Sequence, residues 1–340
     1  MENGGSSVLL IYTGGTIGMK EDERGMLTPF DFDDLIESVP ELGKFTCRID
    51  HYTFSPLIDS SDVEPALWIR LAEIIRYRYD DYDGFVILHG TDTMAYSASA
   101  LSFMLENLSK PVIFTGSQLP VGRPRTDGKE NLISSVEIAV AKDAQGNALV
   151  PEVCIFFNSQ LLRGNRSTKA DATSFNAFRS PNYPPLATAG IDIRYNEKMI
   201  LPATGKPFII HIELDTRVSI LKVHPGITPQ VVRNILLGPE TRAVIIETYG
   251  SGNAISKDWF IQIVREASAM GKILLNVTQC LAGTVNMDLY ATGCALRDAG
   301  VVSGGDMTTE AALAKLFFLM GSTKDNAQVK NILEQNLRGE

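Results

Sequence analysis

A chain of 340 residues with 44% hydrophobic and 21% charged side chains has ordinary globular composition and is long enough for about two domains, each with its own core. Its formal charge of -9, with Lys and Arg scattered rather than clustered, excludes a nucleic-acid partner and a polybasic membrane patch. The polar start Met1-Glu2-Asn3-Gly4-Gly5 and the short apolar Val8–Tyr12 lack signal-peptide form, and no apolar run approaches the roughly 20 residues that span a bilayer, so the cytoplasm is the expected compartment.

Short apolar runs alternate with helical patterns from end to end, which predicts an α/β protein. Val8–Tyr12 reads as a buried strand running into Thr13-Gly14-Gly15-Thr16. Asp62–Arg78 has helical spacing at Leu67, Leu71, Ile74 and Ile75, with Ser61 or Asp62 as its N-cap. Gly84–Leu88 is a second strand ending at His89-Gly90-Thr91-Asp92, followed by a helix from Met94 to Asn107. Pro111–Phe114 is a third strand, ending at Gly116-Ser117, with a helix over Asn131–Lys142. Glu152–Phe157 is a fourth strand, before the basic stretch Arg163–Asp171.

From Ser180 to Lys206 the periodicity fades and Pro181, Pro184, Pro185 and Pro202 gather, which marks a connection. Beyond it strands are expected at Phe208–Leu214, Arg217–Val223, Ala243–Thr248 and Ile273–Val277, with helices at Thr228–Leu236, Lys257–Met270 and Thr309–Met320. The expected architecture is a larger N-terminal domain over 1–190 with a mostly parallel open sheet flanked by helices, a linker at 191–206, and a smaller C-terminal α/β domain over 207–340. Cys47, Cys154, Cys280 and Cys294 form no C-x-x-C pair, so free thiols are expected rather than a disulfide framework.

Ligands of open parallel sheets bind at the carboxyl ends of the strands. That rule gathers three loops, Thr13–Thr16, His89–Thr93 and Gly116–Gln118, all rich in glycine and hydroxyls. Gly14-Gly15 lets the backbone turn tightly and approach a ligand, although a glycine pair alone is a weak signal. Neither this loop nor Gly250-Ser251-Gly252-Asn253 has a phosphate-cradle spacing. Thr91 and Asp92 read either as helix caps or as partners of Thr16 in one crevice, where one hydroxyl attacks and the other positions water. His89 reads as structural, and with four histidines and no H-E-x-x-H no metal or other cofactor is implied. Lys169 reads as a solvated lysine unless desolvation or nearby Arg163 and Arg166 make it a base.

Tyr12-Thr13-Gly14-Gly15-Thr16-Ile17-Gly18 and His89-Gly90-Thr91-Asp92-Thr93-Met94 resemble the two signature segments of the bacterial-type L-asparaginase family. Asp59-Ser60-Ser61-Asp62, Gly164-Asn165-Arg166-Ser167-Thr168-Lys169 and Asn276-Val277-Thr278-Gln279-Cys280 resemble further segments of it, in one order from Val8 to the C-terminus, and point to its cytoplasmic type I branch. By this resemblance Thr16 is the nucleophile that forms a β-aspartyl ester, and Thr91, Lys169 and Asp92 are the second trio, with lysine and threonine relaying a proton. The N–H groups of Gly15 and Thr91 resemble an oxyanion hole. Asp92 resembles the acceptor of the substrate ammonium. Ser60, with Asp59 and Ser61, resembles the holder of its carboxylate, unless Ser60 is only a helix cap. Ser117 flanks the amide, and Asn253 is contributed by a neighbouring subunit, since the family assembles as dimers and dimers of dimers (homotetramers).

Two positions depart from the family pattern. Met26 stands at the position of a loop tyrosine that helps activate the nucleophile, so either a nearby hydroxyl, Tyr12 or Thr28, substitutes or activation of Thr16 rests on Lys169 through Thr91. A second asparagine site would use Thr168 and Cys280, but Glu247 stands where the family has an arginine, so activation by asparagine is expected to be weakened. The reaction implied is hydrolysis of L-asparagine to L-aspartate and ammonia. The alternatives are the amidase subunit of a tRNA-dependent amidotransferase, disfavoured by acidity and by a first signature close behind Met1, and a non-catalytic amino-acid sensor, disfavoured by the retained hydroxyls and Lys169.

Overall fold

The computed structural model of the protein describes residues 5–21, 27–29 and 37–340. The chain divides into two compact units, Met1–Ile210 and His211–Glu340. No helix among the described residues is long and apolar enough to cross a membrane.

The first unit is built on an eight-stranded sheet. Strand β1 (Ser7–Tyr12) is buried along its whole length and lies between β2 (Arg48–Thr53) and β3 (Gly84–Leu88), parallel to both. The sheet continues from β3 through β4 (Val112–Thr115) to β5 (Val153–Phe157), all parallel. Strands β1, β3, β4 and β5 are unbroken runs of Val, Ile, Leu and Phe with few other residues, the pattern of strands covered on both faces. The sheet is completed by antiparallel β6 (Gln160–Arg163), β9 (Ala187–Ala189) and β10 (Ile193–Tyr195), while β7 (Thr168–Lys169) and β8 (Phe178–Arg179) form a separate hairpin. Residues 193–195 of the expected linker therefore extend this sheet, and the compact units part later, between Ile210 and His211.

Helices α1 (Pro65–Tyr77), α2 (Met94–Met104) and α3 (Gly128–Val140) accompany the parallel strands. Helix α1 starts at Pro65 rather than Asp62, because proline suits the first helical position and has no N–H to leave unpaired. The polar residues before it form a separate turn, Ser60–Asp62, capped by Asp59. Neither Ser61 nor Asp62 caps α1. Strand β2 escaped the periodicity because Arg48-Ile49-Asp50-His51-Tyr52-Thr53 is a half-exposed edge strand with polar residues on it.

The second unit has a four-stranded parallel sheet in the order β11 (Val218–Lys222), β12 (Ala243–Thr248), β13 (Ile273–Thr278), β14 (Val302–Ser303). Helices α4 (Pro229–Leu236) and α5 (Asp258–Ala269) enclose a core that includes Leu221, Val232, Ile246, Phe260 and Leu274. Helices α6 (Ala291–Asp298), α7 (Thr309–Ser322) and α8 (Asn326–Leu333) complete it. The strand expected at Phe208–Leu214 is reduced to Ile209–Ile210, and the chain beyond it runs along α7, where Asp215 N donates to the Phe317 carbonyl at 3.0 Å.

Candidate active site

The order β2-β1-β3-β4-β5 means that the chain leaves β1 to one side and returns on the other. The loops after β1 and β3 therefore diverge and open a crevice at their carboxyl ends. Hydrogen bonds lock these loops together. Thr13 donates from both its backbone N and its Oγ1 to the Leu88 carbonyl, at 3.0 and 2.9 Å. Ile58 N donates to the Thr13 carbonyl at 2.8 Å, which brings in the loop that follows β2.

Two glycines set how close the loops come. Gly15 has φ +94°, which disfavours any side chain, and a Cβ there would lie 2.5 Å from Gly90 N. A Cβ on Gly90 would in turn lie 2.5 Å from Ser60 Oγ. Gly15, Gly90 and Ser60 are thus in direct contact, and Thr16, Thr91 and Ser61 follow them immediately in the chain. Thr16 opens a single 3-10 turn, Thr16–Gly18, and is half-buried.

Lys169 reaches this point from the hairpin β7–β8. Its Nζ donates to Thr91 Oγ1 at 2.8 Å and pairs with Asp92 Oδ1 at 2.6 Å. The Lys169 side chain is 18% exposed and that of Asp92 64% exposed, so the pair faces solvent on the carboxylate side. The arginines of the same basic stretch turn elsewhere: Arg163 is sealed against Glu152 at 2.6 Å, and both arginines lie over the Tyr183 ring.

Asp59 Oδ1 accepts from Ser61 N and from Ser61 Oγ, both at 2.9 Å. The first of these bonds, with the second, holds the Asp59 carboxyl below the usual carboxylate range. The donors of Ser61 are thus engaged at rest. Ser60 is buried, and its carbonyl accepts from Thr93 Oγ1 at 2.6 Å. Thr93, the cap residue of α2, spends its hydroxyl on this loop rather than on its own helix.

Ser117 is buried and donates to the Leu119 carbonyl at 2.5 Å, so its hydroxyl is committed within its own loop. Gln118, beside it, was not singled out from the sequence. Its Oε1 accepts from Thr91 Oγ1 at 3.3 Å, and its Nε2 donates to the carbonyls of Ser174 at 3.0 Å and Ala172 at 3.3 Å. Asp127 takes the Gln118 N–H with both carboxylate oxygens at 3.0 Å. The signal available in the sequence was only its place in the third strand-end loop.

His89 is structural. Trp68 Nε1 donates to Ser97 Oγ at 2.9 Å, which leaves the serine hydrogen for His89 Nε2 at 3.0 Å and makes Nδ1–H the donor to the Gly90 carbonyl at 2.7 Å. Burial of this ring lowers its pKa to about 4, so it stays neutral.

Tyr12 donates to the Gly18 carbonyl at 3.0 Å, and burial pushes its phenol well above the usual value, which makes it a poor proton relay. Thr28 lies in the strand Leu27–Pro29, and Met26 lies outside the described residues. The remaining predicted residues divide between the units. Thr168 precedes Lys169 in the first unit, whereas Asn253, Glu247 and Cys280 belong to the second. Asn253 Oδ1 accepts from Thr292 Oγ1 at 2.7 Å. Glu247 accepts from Thr309 Oγ1 at 2.8 Å and lies 3.5 Å from Lys222 Nζ. Cys280 is exposed.

The family model described as asparaginase, N-terminal, matches residues 7–201, and that described as glutaminase/asparaginase C-terminal domain matches residues 217–333. L-asparaginase 1 of Escherichia coli (strain K12) is 47% identical over 340 residues, covering 98% of this chain and 97% of that protein. The 60 kDa lysophospholipase of Mus musculus is 44% identical over 361 residues, with 98% of this chain lying on 62% of that protein. Among solved structures, L-asparaginase I from Vibrio cholerae O1 has a TM-score of 0.88 at 43% identity, with 99% of each chain covered.

Proposed function

Because the chain belongs to the asparaginase family, we propose that it hydrolyses L-asparagine to L-aspartate and ammonia, with Thr16 as nucleophile. The observation that carries this reading is Lys169 Nζ bonded at once to Thr91 Oγ1 and Asp92 Oδ1, beside the loop that presents Thr16. Thr16 Oγ attacks the side-chain amide carbon, and the charge that develops on the amide oxygen is met by the N–H groups of Gly15 and Thr91. The C–N bond breaks, and the nitrogen leaves as ammonia after taking the threonine proton. Water, one hydrogen accepted by Thr91 Oγ1 beside Lys169, attacks the β-aspartyl ester, and its proton passes to Thr16 Oγ as the ester C–O bond breaks and aspartate leaves.

Free asparagine is a zwitterion, so its ammonium and carboxylate need opposite partners. The exposed Asp92 carboxylate suits the ammonium, since only one of its oxygens is held by Lys169. Ser60 Oγ, with the Ser61 donors released from Asp59, suits the carboxylate, and Ser117 flanks the amide. The site is completed in a dimer, or a dimer of dimers, by Asn253 of a neighbouring copy, and the protein works in the cytoplasm. Thr168, Glu247 and Cys280 stand at the sequence positions of the family's second asparagine site. The Glu247 carboxylate, only partly offset by Lys222, opposes the ligand's carboxylate there.

Incubating the pure protein with L-asparagine and measuring ammonia tests the reaction; if no ammonia appears unless tRNA is added, the reading fails. A hyperbolic rate curve is the outcome expected from Glu247, and a clear sigmoid overturns that part.

A further inference from the structure

Gln118 joins Thr91 to the segment immediately after Lys169. Its Nε2 is fixed by two backbone carbonyls, those of Ala172 and Ser174. Carbonyls only accept, so the amide has one allowed orientation, with Oε1 turned toward Thr91. The amide oxygen is likewise only an acceptor, so the single hydroxyl hydrogen of Thr91 is drawn to Gln118, at 3.3 Å between oxygens. The lone pairs of Thr91 Oγ1 then face away from Gln118. One receives Lys169 Nζ at 2.8 Å, which leaves the other for the hydrogen of an attacking water. Asp127, the residue just before helix α3, holds the Gln118 N–H between its two carboxylate oxygens at 3.0 Å.

From this geometry we infer that Gln118 is a positioning residue for ester hydrolysis: it turns the Thr91 hydroxyl so that its oxygen accepts from Lys169 and from water, and it ties the segment after Lys169 to that oxygen. The inference rests on the asparaginase reading above. Because Gln118 acts through Thr91, it bears on the second half of the reaction, in which water attacks the acyl ester, and not on the attack by Thr16.

The test is rapid-mix ammonia release by Gln118→Met, which keeps the length of the side chain and removes both its acceptor and its donors. Ammonia leaves during acylation, so a protein slowed only in ester hydrolysis shows a burst near one ammonia per site and then a slow steady state. The steady-state rate is expected to fall roughly ten- to thirtyfold, between the loss of one neutral hydrogen bond and the cost of a misplaced catalytic group. The burst rate should match the parent's acylation rate, and the KM for asparagine should not rise. A merely structural role would slow burst and steady state together, and that result overturns the inference, as does an unchanged steady-state rate. If Gln118→Met does not fold, Gln118→Ala decides by the same comparison: a parent-like burst rate with a slowed steady state upholds the inference, and joint slowing or an unchanged steady state overturns it. A parent protein that releases no ammonia instead overturns the asparaginase reading, before any variant is made.

Discussion

Two ion pairs in the first unit begin six residues apart on one stretch of chain and differ in what surrounds them. Arg163 and Glu152 are closed off, with side chains 3% and 5% exposed, and the guanidinium also donates to the Met199 carbonyl at 2.7 Å. Lys169 and Asp92 are open, at 18% and 64%, and the third group on the lysine is the Thr91 hydroxyl. A closed bidentate pair has its donors spent on fixed partners, and removing one member leaves a charge without water. An open pair around a hydroxyl costs little to rearrange. Sequence proximity within Arg163–Lys169 hides this division between a sealed pair and an open one.

The comparison breaks or sharpens under substitution. Thr16→Ala is expected to have the largest effect, a loss of ammonia release on the order of 10⁴-fold or more with no burst and an unchanged unfolding midpoint. If Thr91→Val alone abolished acylation, the roles of the two threonines would be reversed. Lys169→Met should lower turnover by roughly 10³-fold, within the range of lost acid–base catalysis, while thermal unfolding stays near that of the parent. Arg163→Met should do the reverse, costing about 4 kcal/mol of unfolding free energy while the folded fraction keeps its turnover. Adding Glu152→Leu to it should recover most of that loss, as measured by denaturant titration. Comparable activity losses for Lys169→Met and Arg163→Met would break the distinction.

His89 gives the smallest effect and a pH handle. Its folded pKa of about 4 lies below the ordinary value of 6.5, so the unfolded chain binds the proton first. Its contribution to stability is therefore complete above pH 6.5 and lost as pH falls toward 4, by about 3 kcal/mol in all. Unfolding free energies of the parent and of His89→Gln across that window should diverge in slope; parallel curves would place the loss on other groups.

The parallel core was legible because strands covered on both faces are apolar, as Val8–Tyr12, Gly84–Leu88 and the run Ala243-Val244-Ile245-Ile246 are. Strand β2 was not, since an edge strand tolerates Arg48, Asp50 and His51. The strand-end loops carrying Thr16 and Thr91 followed from the strands, whereas Gln118 did not stand out, because a glutamine in a loop has no spacing that marks its partners. Helix α6 was also missed; Ala291–Asp298 is short, and only Gly293 and Leu296 are buried.

Local chemistry and periodicity by themselves determined the α/β class, the apolar strands and the glycine-hydroxyl loops that end them. They do so because propensity and burial pattern are properties of neighbouring residues. Only the tertiary structure decided that Lys169 meets Thr91 across 78 residues while Arg163 is sealed on Glu152. It also decided that Tyr12 is spent on Gly18 and that Gln118 turns the Thr91 hydroxyl. Which partner a polar side chain takes depends on what the fold brings within about 3 Å and what it shields from water, and no spacing along the chain encodes either.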